Sequence, residues 1–107
     1  MKWTEEFYPE AKFGGFSDID GTIAFYKRVN ALIQHDYVIL DFGCGRGEYQ
    51  DDKVKYRREL RIMKGKCQKV IGVDIDDIGY KNPFLDEFYK LEGTCIPVPD
   101  HSIDLCF

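Results

Sequence analysis

A basic surplus, paired cysteines, a histidine cluster and a long apolar run are all missing from this chain, and each absence closes off a class of function. Fifteen Lys and Arg against nineteen Asp and Glu leave a formal net charge of -4. That balance gives no electrostatic reason to expect a polyanionic partner, so nucleic acid is unprompted, though not excluded. Cys44, Cys67, Cys95 and Cys106 form no CxxC pair, and the two histidines, His35 and His101, stand apart from them and from each other. No metal site is expected from that spacing. The opening MKWTEEFYPEAKF carries acids where a secretory leader would be apolar. No stretch approaches the roughly 18 apolar residues of a membrane span. Reduced thiols and a cytoplasmic location are the expectation.

What is present suits a packed core. Within 107 residues, 44% hydrophobic and 15% aromatic, one domain at most is expected. The first sixteen residues are aromatic-rich and irregular and read as a surface arm or lid. Residues 1–36 together read as that arm and a helix, and residues 37–107 as the body of the domain. Ile23, Tyr26, Val29, Leu32 and Ile33 recur at helical spacing, which predicts a helix over about Thr22 to Gln34, capped by Asp18 or Asp20.

The run YVILDF is continuously apolar up to its aspartate, as in a strand buried on both faces of a parallel sheet. Tyr56, Leu60 and Met63 predict a second helix over about Val54 to Lys64, stopped near Gly65. KVIGVDID reads as a second strand. Asn82-Pro83 marks a turn, after which Phe84, Leu85 and Phe88 line a short helical face, with a brief third strand over Phe88 to Leu91. A fourth strand is expected over Ile103 to Phe107, with His101 as a turn residue before it. The basic residues crowded between Lys53 and Lys69 read as a solvated helix face. Strands alternating with helices predict an α/β fold with a parallel sheet and right-handed crossovers.

Chemistry concentrates in YVILDFGCGRGEY. A strand running into glycines lets a ligand approach the backbone. Gly43, Gly45 and Gly47 are spaced G-x-G-x-G rather than the G-x-G-x-x-G of dinucleotide sites, and the position of that third glycine is held by Glu48. An acid there opposes a pyrophosphate. Asp41, two residues before the first glycine, suits a ligand carrying a cation. Asp74, at the end of the second strand, suits the two hydroxyls of a ribose.

These segments carry a family resemblance. VILDFGCGRGEY resembles motif I of the class I S-adenosylmethionine-dependent methyltransferases, KVIGVDID resembles their second motif, and LEGTCIPVPDHSIDLCF is similar to the segment around their third and fourth strands. The resemblance runs from about Tyr37 to Phe107. It implies a Rossmann-like, doubly wound parallel sheet in three αβα layers, with S-adenosylmethionine as methyl donor and S-adenosylhomocysteine as product. It implies that Asp41, Gly43, Cys44, Gly45 and Gly47 surround the methionine part. Asp74 would hold the ribose, Ile75 would lie on the adenine, and Glu92 and Gly93 would meet its amino edge.

The chain departs from the family pattern in two places. EYQDDK looks like an insertion between the glycines and the second helix, and the sequence stops inside the fourth of seven family strands. A truncated cofactor-binding half is therefore expected, with the apolar edge SIDLCF left exposed and open to self-association. The segment that commonly carries catalytic groups lies beyond Phe107, so no catalytic residue is nominated. A small-molecule, lipid or sugar-type methyl acceptor is preferred to nucleic acid. The alternatives are a non-catalytic module that binds the donor or its product and, behind it, an NAD-type oxidoreductase.

Overall fold

A computed structural model describes residues 20–107. The aromatic-rich start of the chain and the alternative cap Asp18 lie outside the described residues. The elements run α1 (Gly21–Leu32), β1 (Val38–Phe42), a 3-10 turn (Glu48–Asp51), α2 (Lys55–Arg61), β2 (Lys69–Asp74), a second 3-10 turn (Asp77–Lys81), β3 (Glu87–Lys90) and β4 (Leu105–Cys106). The strands form one parallel sheet in the order β3-β2-β1-β4, with Ile39 opposite Val70 on one side and Leu105 on the other. The α/β expectation holds, and the fourth strand lies beside the first.

Alternation along the strands separates two apolar clusters. On one face Ile39 and Val70 pack with Val29 of α1, Met63, Cys44 and Leu85. On the other, Leu40, Ile71 and Val73 meet Leu91, Val98 and Ile103. Among the described residues the second face is covered by this loop and not by a helix. Among residues 20–107 the second helical layer expected of an αβα arrangement is therefore not seen, while the strand order reverses at β1 as expected of a doubly wound sheet.

Asp20 caps α1, its Oδ1 accepting from Ile23 N at 3.0 Å. At about 100° per residue, Tyr26 and Ile33 fall on one flank of Val29 and Leu32 on the other. Leu32, expected inside, is accordingly 58% exposed. α2 ends three residues before the expected Lys64, and Tyr56 is 53% exposed. Side chains from outside the helix meet its last carbonyls. Asn30 Nδ2 donates to Leu60 O at 2.8 Å and Lys66 Nζ to Glu59 O at 2.7 Å, which satisfies helix-end carbonyls without a further turn. Met63 is still buried, beyond the helix.

The helical face expected of Phe84, Leu85 and Phe88 does not form. Asn82, preceding proline, is extended at φ -74° and ψ 114°; its Oδ1 accepts from Phe84 N at 2.9 Å, and Phe88 belongs to β3. The β4 ladder is shorter than expected, although Phe107 N still donates to Leu40 O at 3.0 Å and Asp104 Oδ2 accepts from Val38 N at 2.8 Å. His101 occupies its turn at φ 56°.

Candidate functional site

The polypeptide leaves β1 through three residues in the left-handed region, Gly43 at φ 73°, Gly45 at 59° and Gly47 at 77°. Only glycine adopts that conformation at little cost. The turn is tied to the end of β2. Gly43 N donates to Val73 O at 2.7 Å, Cys44 N to the same oxygen at 3.3 Å, and Gly45 N to Asp74 Oδ2 at 2.9 Å. From the opposite side the buried Asn82 amide donates to Cys44 O and Gly45 O, each at 3.3 Å. A side chain at Gly47 would meet Asn82 Oδ1 at 2.9 Å. The N–H groups of Gly43, Cys44 and Gly45 thus serve the fold. What the glycines leave for a ligand is close approach to the chain.

Gly72 has a packing role. A Cβ there would meet Leu85 Cδ1 and lie 2.8 Å from Cys44 Sγ, so the side chains of Leu85 and Cys44 fill the space that it would need.

Where the strand order reverses, between β1 and β4, a cavity of about 210 Å³ opens beside the turn. Such a reversal, at the carboxyl ends of parallel strands, is where open α/β sheets bind ligands. Asp41, Gly43 and Cys44 line it with Glu48, Tyr49 and Arg61, and its aromatic wall comes from Tyr26 of α1 and the terminal Phe107. The volume is below the roughly 300–1,000 Å³ of a whole small-molecule site. It suits a part of a ligand of about amino-acid size.

The electrostatics of the cavity are set by two opposite charges. Burial pushes the Asp41 carboxyl up to about 6, against the pull of Arg61, and Glu48 and Asp74 raise it further. Burial, with Asp41 beside it, also pushes the Cys44 thiol up to about 12, which keeps it protonated and poorly nucleophilic. Tyr49 is raised for the same first reason. The Arg61 guanidinium centre lies 4.7 Å from the Tyr49 ring centre and 5.2 Å from that of Tyr26. Its Nε is buried and has no hydrogen-bond partner among the described residues.

The sequence-nominated residues fall into two groups. Asp41, Gly43 and Cys44 reach the cavity, and Gly45, Gly47 and Asp74 adjoin it through the turn. Asp74 Oδ1 also accepts from Asp76 N at 3.0 Å. Ile75 is 73% exposed just beyond β2. Glu92 and Gly93 follow β3 in an exposed loop, close to β2 through Leu91 N, which donates to Asp74 O at 2.7 Å. No described hydrogen bond joins Glu92 or Gly93 to the cavity.

Arg61, Tyr49 and Asn82 were not identified from sequence. Arg61 looked like one more cation on a charged helix, and Asn82 like a turn marker. EYQDDK, which looked like an insertion, folds as the 3-10 turn that carries Tyr49 and Glu48 to the cavity. No α-helix begins at the glycines; the next one starts at Lys55.

Comparison of the chain with protein-family models, with curated proteins and with solved structures finds no match.

Proposed function

We propose that the chain is the cofactor-binding part of a Rossmann-like, class I S-adenosylmethionine-dependent methyltransferase. The observation that carries this reading is the bond from Gly45 N to Asp74 Oδ2, which joins the two motif segments at the ends of adjacent parallel strands. Strand order β3-β2-β1-β4, with its reversal beside the glycine turn, supports it.

The residues present fit the cofactor. The cavity beside Asp41 is sized for the amino-acid end, and Asp41 would face its ammonium. Asp74 keeps a lone pair on each oxygen beyond the N–H groups it already accepts, so its carboxylate can take the ribose hydroxyls. Ile75 lies exposed where an adenine would cover it, with Glu92 and Gly93 on the adenine's far side. When bound, the cofactor supplies an activated methyl group on a sulfonium, and the protein's task is to hold it in line with an acceptor.

A small-molecule, lipid or sugar-type acceptor is preferred, in keeping with the net charge of -4. Four unpaired cysteines support a reducing, cytoplasmic setting. Glu48 at the cavity counts against the pyrophosphate of an NAD-type cofactor. A non-catalytic module holding the donor or its product is the second reading, favoured by the protonated Cys44 and by the lack of histidine at the cavity.

Calorimetric titration with S-adenosylhomocysteine and with NAD, repeated on Asp74→Ala, tests the proposal. Binding of the former alone, lost in the variant, is the expected result. Binding of NAD, or of neither, overturns it.

A further inference from the structure

Asp41 and Arg61 line the same small cavity, yet no ion pair within 4.0 Å joins Arg61 to Asp41 or to Glu48 among the described residues. A half-buried cation and a half-buried carboxylate that share a cavity would ordinarily close on one another. Here the guanidinium is held between the rings of Tyr26 and Tyr49. Tyr49 in turn stacks on Phe84, with ring centres 5.1 Å apart and planes at 26°. Tyr26 meets Phe107 edge to face at 6.1 Å. Arg61 Nε, beside these rings, is buried with no hydrogen-bond acceptor among the described residues. A guanidinium that lines the same cavity as a carboxylate, and has no ion pair among the described residues, matches a ligand group that carries both charges itself.

We infer that Arg61 is a specificity-determining residue: it receives the carboxylate of a zwitterionic α-amino-acid group whose ammonium faces Asp41. The inference rests on the cofactor reading above and adds to it a residue outside the segments that resemble the family's motifs. Arg61 makes the cavity selective for ligands with a free α-carboxylate, because a guanidinium fork rewards a planar anion and an unfilled one stays desolvated. Compounds that share the adenosine but lack the amino-acid end gain nothing from it.

The test compares three ligands on the unaltered chain by calorimetry: S-adenosylhomocysteine, its carboxyl methyl ester, and 5′-methylthioadenosine, which has no amino-acid end. S-adenosylhomocysteine should bind about tenfold or more tightly than either of the others. Arg61→Met should reduce the preference over the ester to near unity while 5′-methylthioadenosine binds as before, and Arg61→Lys should restore part of it. Equal affinity for S-adenosylhomocysteine and its ester, or a folded Arg61→Met chain that keeps the preference, overturns the role of Arg61 alone. A chain that binds none of the three overturns the cofactor reading and this inference with it.

Discussion

Asp41 and Asp74 close the two central strands on the same face of the sheet, in opposite circumstances. Asp74 accepts from the backbone N–H groups of Gly45 and Asp76, so it fastens the glycine turn to β2 whether or not a ligand is present. Among the described residues no hydrogen bond reaches the Asp41 carboxylate, and burial raises its pKa to about 6. Asp74 stabilises the fold that it would also serve as a binding group. Asp41 is a standing cost to stability, offset in part by Arg61. A binding carboxylate can therefore be integral to the architecture or carried against it, and substitution tells the two apart.

The largest effect expected is on pH dependence. With its pKa raised from 3.8 in the unfolded chain to about 6 in the folded one, Asp41 binds its proton more tightly when folded. Its contribution is fully present below about pH 4 and is lost as pH rises through 6, a fall of up to about 3 kcal/mol. Urea unfolding of Asp41→Asn at pH 4, 5, 6 and 7 should lack that fall; an unchanged slope would show that Asp41 is solvated.

Asp74→Ala should act in the other direction at neutral pH. It leaves two backbone donors without an acceptor and should lower stability by about 2 kcal/mol, read as a drop in the urea midpoint. If Asp74→Ala melts like the parent, the glycine turn does not depend on β2.

The smallest expected change comes from Asn82→Ala. It frees Cys44 O and Gly45 O, and should cost about 1 kcal/mol while weakening S-adenosylhomocysteine binding only severalfold. A loss of binding as large as that of Asp74→Ala would move Asn82 from support of the turn into the site itself.

The same contrast runs through what the sequence made legible. The start of α1, the two central strands and the glycine turn were readable because each is specified locally, by Asp20 as a cap, by apolar runs and by glycine spacing. The end of α2 was not, because Asn30 and Lys66 complete it from elsewhere in the chain. Phe84 leaves its expected helical face for a stack on Tyr49, a partner far away in sequence. The basic run from Lys53 to Lys69 looked like a uniform solvated surface. Only the fold distinguishes Arg61, held between two tyrosine rings, from Arg57, whose fork on Asp52 lowers that carboxyl to about 2. Of the candidate site, Asp41, Asp74 and the glycines came from sequence, and the opposing charge did not.

The loop that covers the second face of the sheet has a consequence for how the protein comes apart. Leu91, Val98 and Ile103 rest on Leu40, Ile71 and Val73, while most of the residues between Leu91 and Ile103 are exposed and form no regular element. A segment held by so few apolar contacts opens at a lower free energy than the helix-covered face. Limited proteolysis should cut between Glu92 and His101 first, and amide exchange there should run ahead of β1 and β2. Glu92 and Gly93, which the proposed cofactor reading puts beside the adenine, lie at the start of that segment, so on that reading bound S-adenosylhomocysteine would slow its cleavage.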